Sequence, residues 1–228
     1  MKIAEVFHSI QGEGLLAGIP SVFVRTSGCN LRCWFCDTPY SSWEPEGEKL
    51  DPAEILQQVL DIDCKHVVIT GGEPMLWPSL VELVDGLRRA GRHVTVETAG
   101  TLDVPLVCDL ASISPKLASS TPTSQENGRF ALMHEQARWR PEVIGKLMDR
   151  QPYQLKFVAH QLSDLAEIES MLTQLPPIQP DRILLMPQGT TPSELSSRAS
   201  WVANACLQRG WRYAPRLHID LYGNTRGT

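Results

Sequence analysis

Gly28-Cys29-Asn30-Leu31-Arg32-Cys33-Trp34-Phe35-Cys36-Asp37-Thr38 is the stretch around which this chain is arranged. Three cysteines fall within eight residues, spaced C-x3-C-x2-C, just after an apolar run. Three thiols so close cannot pair into disulfides without leaving one over, but they can hold a metal centre. A structural zinc usually takes four ligands. No fourth stands near: His8 precedes by two elements and Cys64 lies beyond a predicted helix. An iron–sulfur cube has four irons, each able to take a cysteine thiolate. Three thiolates leave one iron open to a small molecule. The plain alternative is three buried, reduced cysteines; the Gly, Asn, Arg and Asp around them speak against it.

Outward from this loop, short runs rich in Val, Ile, Leu or Phe recur at 21–25, 66–70, 93–97, 107–113, 154–159, 182–186 and 216–219. Each reads as a strand covered on both faces. Helical patterns alternate with them, which predicts β/α units around a parallel sheet. Asp51-Pro52-Ala53-Glu54 and Thr191-Pro192-Ser193-Glu194 each offer a cap, a first-turn proline and a glutamate that reaches back. Further helices are expected over 78–90, 141–149 and 163–174, and Gly210 is placed to end the helix over 195–209. The polar span 117–140, with Pro122 and Gly128, reads as a long, mobile loop.

With 228 residues the chain fits one domain, 1–228, with an ample core. A closed eightfold barrel typically needs about 250 residues. Six or so parallel strands with fewer helices therefore predict an α/β, incomplete and open barrel. In such sheets ligands sit at the carboxyl ends of the strands. The segments 29–38, 70–74, 97–101, 114–116 and 187–189 all follow predicted strands and should meet on one rim.

Apolar residues make up 42% and charged residues 21%, ordinary for a globular protein. The net charge of −5 argues against a broad nucleic-acid surface. No run is long enough to span a membrane and no basic-then-apolar leader opens the chain, so a cytoplasmic protein with reduced thiols is expected. Cys64, Cys108 and Cys206 are scattered and read as core or surface thiols.

The cysteine spacing, with an aromatic before the last cysteine, resembles the radical S-adenosylmethionine (SAM) superfamily. Ser9-Ile10-Gln11-Gly12-Glu13-Gly14, Cys36-Asp37-Thr38, Thr70-Gly71-Gly72-Glu73-Pro74, Glu97-Thr98-Ala99-Gly100-Thr101 and Ser114-Pro115-Lys116 follow in that order. Together with the C-terminal Gly223-Asn224-Thr225-Arg226-Gly227, this set is similar to the 7-carboxy-7-deazaguanine synthase family of queuosine and 7-deazapurine biosynthesis.

The resemblance implies a shortened radical-SAM barrel with a [4Fe-4S] cluster on Cys29, Cys33 and Cys36. It implies SAM contacts from Phe35, Cys36, Asp37, Gly72, Glu73, Glu97, Thr98, Ser114, Pro115, Lys116 and Gln188. It implies Mg2+ at the Thr38 hydroxyl, completed by substrate oxygens. The implied substrate is 6-carboxy-5,6,7,8-tetrahydropterin. A 5′-deoxyadenosyl radical takes its C6 hydrogen, the ring contracts and ammonia leaves. Ile10, Gln11, Gly12 and Glu13 would face the guanine-like edge, Arg25 the carboxylate, with Thr70, His218 and the Thr228 carboxylate completing the site. No general base is assigned. A flavodoxin or ferredoxin reductant and a homodimer are implied as well. Without the family, 11–14 is a surface turn, 71–74 an ordinary strand-to-helix turn, Lys116 a solvated charge and Thr38 a turn cap. Two other readings remain: a glycyl-radical-enzyme activase, which needs a surface for a large protein, and a zinc module.

Overall fold

The β-branched runs form strands, and the amphipathic stretches between them pack on one side of the sheet. A computed structural model describes residues 1–228, the side chain of Glu126 excepted. Its strands are β1 (Lys2–Ile10), β2 (Pro20–Thr26), β3 (Glu48–Lys49), β4 (His66–Gly71), β5 (His93–Thr98), β6 (Leu110–Ile113), β7 (Tyr153–Ala159), β8 (Ile183–Pro187) and β9 (Arg212–Tyr213). Its helices are α1 (Pro39–Ser42), α2 (Pro52–Leu60), α3 (Leu80–Arg89), α4 (Ala131–Ala137), α5 (Pro141–Arg150), α6 (Asp164–Leu172), α7 (Pro192–Arg209) and α8 (Leu217–Tyr222).

The capping chemistry sits where the sequence places it. Glu54 accepts the Asp51 N–H at 2.7 Å ahead of α2. Thr191 Oγ1 and Glu194 exchange bonds at 3.3 and 3.1 Å ahead of α7, which ends at Gly210 with φ +70°.

Among the described residues the strands form one sheet in the order β3-β1-β2-β4-β5-β6-β7-β8-β9. From β2 to β9 each neighbour is parallel, while β1 runs antiparallel to β2 and to β3. β3 and β9 end the sheet, so the barrel stays open, as expected from chain length. Residues 99–109, between β5 and β6, carry no helix, which is part of how the chain stays short.

Side chains alternate across each strand. Val22, Val24, Val67, Ile69, Val94, Val96, Leu155 and Phe157 face the helices and join Ile55, Leu83, Leu87, Ile144 and Ile168 in the main core. The opposite face is largely polar. Arg25, Thr70, Glu97 and Lys156 turn into the barrel and line a cavity there. A small apolar group of Leu184, Met186 and Ala214, with Leu15 and Val158, packs apart from the main core, and its Met186 and Val158 reach the cavity.

The structure corrects four expectations. The strands are not apolar on both faces, because the inner face serves the cavity. The N-terminal strand β1 escapes the pattern search because Glu5 and His8 interrupt its apolar positions. The run 216–219 is not a strand: Arg216 caps α8, and four alternating residues are too few to separate the two periods. The span 117–140 is not a bare loop; it holds three short 3-10 turns and α4, and its His134 is fully buried.

Candidate active site

The cluster loop leaves β2 through Gly28, whose φ of +109° suits glycine alone. Its backbone is stitched to two neighbours. Gly28 N–H donates to Ser41 O at 2.7 Å, and Glu73 N–H donates to Gly28 O at 2.9 Å. Gly72 must be glycine because a Cβ there would lie 2.0 Å from Gly28 O. Within the loop, Arg32 Nη1 donates to Cys29 O and Leu31 O, both at 2.7 Å.

The span 117–140 braces the loop from behind. Trp34 N–H donates to Ser120 O at 3.1 Å and Trp34 Nε1 to Ser119 O at 2.8 Å. Arg32 N–H donates to His134 Nδ1 at 3.0 Å, so the ring hydrogen sits on Nε2, 2.9 Å from Ser120 Oγ. Burial lowers the His134 pKa to about 4, which keeps the ring in this neutral, accepting form.

All three cysteines of the motif open onto one cavity of about 460 Å³ at the carboxyl ends of the parallel strands. Burial raises Cys29 to about 12 and Cys33 to about 11; burial, then the Asp37 carboxylate, raises Cys36. Leu31 N–H donates to Cys29 Sγ at 3.4 Å, and Ser42 Oγ lies 3.1 Å from Cys36 Sγ. Metal binding deprotonates a coordinating thiol outright, and donors to sulfur tune iron–sulfur centres. This donor set fits a polynuclear cluster.

The other wall is a chain of alternating charges. Glu13 ion-pairs with Lys156, takes Arg216 Nε at 2.9 Å and lies 4.0 Å from His218 Nε2. Arg216 also ion-pairs with Asp37 and donates to Gly189 O. Burial alone would raise Glu13, but the Lys156 and Arg216 cations outweigh it and hold the carboxyl well below the usual range. Asp37 is held low by Arg216 in the same way. Burial lowers His218. Glu97 accepts from Thr70 Oγ1 at 2.8 Å and Gln11 Nε2 at 3.3 Å, and lies 4.0 Å from Lys156.

Most of the residues singled out in the sequence line this one cavity: Ile10, Gln11, Gly12, Glu13, Arg25, Thr70 and Thr228 of those expected at the substrate, and Phe35, Asp37, Thr38, Gly72, Glu97, Thr98, Ser114, Lys116 and Gln188 of those expected at SAM and Mg2+. Lys116 Nζ is held by Ser114 O and Oγ at 2.7 and 2.9 Å. Gln188 Oε1 lies 3.3 Å from His160 Nδ1, and the His160 ring stacks on Phe35. Glu73 and Pro115 do not line the cavity. The Glu73 carboxylate is fully buried and accepts from Met75 N, Thr98 Oγ1 and Ala99 N, so it staples the β4 loop to the β5 loop. Arg25 does line it, with Nε held on Glu5 at 2.6 Å. His218 sits on α8 rather than at a strand end, packed so close to Gly12 that a Cβ there would lie 2.0 Å from Nδ1.

Sequence reasoning missed Lys156, Arg216 and His134. For Lys156 a signal existed: one lysine between Leu155 and Phe157, in a strand with no other charge. For His134 and Arg216 none did, because the site residues they hold, Arg32 for His134 and Glu13 and Asp37 for Arg216, lie about a hundred residues away or more.

Among relatives with curated names, the chain is 47% identical over all its length to the 7-carboxy-7-deazaguanine synthase of Rhodopirellula baltica, of which it covers 89%. The same identity holds for the enzyme of that name from Halobacterium salinarum, covered to 93%. For that of Pyrobaculum aerophilum identity is 34%, with 97% covered. The Radical SAM superfamily pattern matches residues 23–116. The fold is similar to the crystal structure of QueE from Escherichia coli, with a TM-score of 0.72, 23% identity, and coverage of 95% of this chain and 94% of that one. With full-length identity of this order, and with the three cysteines gathered on the rim of an open barrel, the chain belongs to the 7-carboxy-7-deazaguanine synthase family of radical SAM enzymes.

Proposed function

We propose that this chain converts 6-carboxy-5,6,7,8-tetrahydropterin to 7-carboxy-7-deazaguanine by hydrogen abstraction at C6, ring contraction and loss of ammonia. The observation that carries the reading is a single cavity with three cysteines on one wall and the Glu13–Lys156–Glu97 row on another. A [4Fe-4S] cluster on Cys29, Cys33 and Cys36, with SAM beside it, supplies reductive cleavage of SAM to the 5′-deoxyadenosyl radical.

The rest falls to the chain's own side chains. Ser114, Lys116, Thr98 and the backbone at Gly72 present polar groups toward the methionine and ribose of SAM, and Phe35 and Gln188 lie toward its adenine. Glu13, ionised by its two cations, accepts from the amino and ring N–H groups of the pterin. Gln11 and Thr70 hold Glu97 in place on the same wall. Arg25, anchored on Glu5 through Nε, turns its remaining N–H groups to the substrate carboxylate. His218 and Thr228 close the C-terminal side.

Mg2+ binds at the Thr38 hydroxyl, 3.9 Å from Cys36 Sγ and within 3.1 Å of Ser41 Oγ. One hydroxyl is too few ligands for a hard cation, so the substrate's oxygens complete the shell. Thr38→Ala is expected to flatten the Mg2+ dependence of product formation while SAM cleavage without substrate persists. An unchanged Mg2+ response removes this role. A small one-electron carrier such as a flavodoxin or ferredoxin supplies the electron, and the protein acts as a homodimer. Among the described residues no helix is long and apolar enough to cross a membrane.

The reading is tested by anaerobic incubation of reconstituted protein with SAM, dithionite, Mg2+ and the carboxytetrahydropterin. Mass spectrometry should detect the carboxydeazaguanine. SAM cleavage with no deazapurine overturns the substrate assignment.

A further inference from the structure

β7 carries one charge, Lys156, among residues that are otherwise uncharged. Leu155 and Phe157 are fully buried against the helices, and Lys156 turns the opposite way, into the barrel, where it lines the cavity. Only 5% of Lys156 is exposed. Lysine is almost never buried to this extent unless paired. Here it ion-pairs with Glu13 and lies 4.0 Å from Glu97 Oε1. An ammonium has three N–H donors. Two point toward those carboxylates, which leaves one for whatever occupies the cavity.

The neighbouring cation is differently occupied. Arg216 gives three of its five N–H groups to Glu13, Asp37 and Gly189 O, which fix the guanidinium plane. His218, 4.0 Å from Glu13, lies on the α8 side. Lys156 lies between the Glu13 and Glu97 carboxylates, with its third N–H open to the cavity.

Resting on the functional reading above, we propose that Lys156 determines ligand specificity: it donates to the carbonyl oxygen of the bound heterocycle, next to the amino and ring N–H groups accepted by Glu13. On a 2-amino-4-oxo ring system these three groups follow one another along one edge as donor, donor, acceptor. A carboxylate followed by an ammonium is their complement. A 4-amino analogue turns N–H donors toward the ammonium, leaving two donors face to face and the lysine without an acceptor. A site built around a buried hydrogen-bonding group rejects such mismatches strongly. A lysine that only neutralised Glu13 would strengthen both ligands alike.

The test is anaerobic calorimetry on the cluster-loaded, SAM-bound protein with 6-carboxypterin and with 2,4-diaminopteridine-6-carboxylate. The unaltered protein should prefer the 4-oxo compound by about 100-fold, the scale of a hydrogen bond to a charged group. Lys156→Gln should shrink that preference several-fold, because an amide offers either a donor or an acceptor; the part that remains belongs to Glu13, which meets N3–H in the 4-oxo compound and an unprotonated N3 in the other. Lys156→Arg, which keeps a cationic donor, should retain the preference. An unaltered protein without preference overturns the proposal. So does a Lys156→Gln protein whose affinities fall together with the ratio intact. If Lys156→Gln binds neither compound, the Lys156→Arg ratio decides, and loss of preference there overturns it. Binding of neither compound by the unaltered protein overturns the functional reading itself.

Discussion

Arg216→Met should lower folding stability at pH 7 by about 3 kcal/mol, the low end of the range for removing one member of a buried ion pair. The low end applies because Glu13 keeps Lys156 as a partner. The other carboxylate on Arg216 belongs to Asp37, whose side chain is 37% exposed, so solvent screens that contact and it adds less. Arg216→Lys should recover only part of the loss. One ammonium cannot serve Glu13, Asp37 and Gly189 O together as a planar guanidinium does.

The pH dependence has a definite sign. Glu13 and Asp37 are held below their ordinary values of 4.5 and 3.8, so the folded state binds their protons less readily than the unfolded chain. Their stabilising contribution is complete above those ordinary values and is lost as pH falls through the lowered native ones. The gap between the unaltered protein and Arg216→Met should therefore be full at pH 7 and narrow under acid. Urea denaturation of the cluster-free protein at several pH values measures it. A gap that widens as pH falls contradicts the ion-pair account.

Gly72→Ala should be the more damaging change for activity. The added methyl meets Gly28 O at 2.0 Å and Ser41 O at 2.5 Å, both backbone atoms that no rotamer change can move aside. The cluster loop must shift as a unit. A displacement near 1 Å is enough to lower a positioned reaction by roughly 100-fold, and overpacking of this kind costs about 1–3 kcal/mol of stability. SAM cleavage and iron content of the reconstituted variant are the measurements. Gly145→Ala is the control: its Cβ meets nothing nearer than Pro176 Cδ at 4.0 Å, and in α5 it should be neutral or stabilising. Equal effects from the two substitutions would refute the steric argument.

What could be read from the residues alone was the local part. The cysteine spacing, the capped starts of α2 and α7, and the β-branched runs that became β2, β4, β5, β7 and β8 each carry their signal within a few neighbouring positions. From those, the shared rim followed, since every motif trails a strand. The polar lining was partly hidden, because inward-facing Thr70, Glu97 and Lys156 alternate with core residues in runs short enough to read as wholly apolar. The nonlocal part was not legible. Nothing near Glu73 reveals that its carboxylate turns inward to Thr98 and Ala99. Nothing in the polar 117–140 span reveals that His134 meets Arg32, because the bond joins residues far apart in sequence. The run 216–219 failed for a different reason: it is too short for its period to be decided.

The bracing of the cysteine loop by Ser120, His134 and Arg216 also sets an order of events during synthesis. On the ribosome the three thiols emerge first, Ser120 and His134 about a hundred residues later, and the guanidinium that holds Asp37 later still. A nascent chain thus displays the sulfurs on an unsupported loop, and the site that receives iron is complete only once Arg216 has emerged.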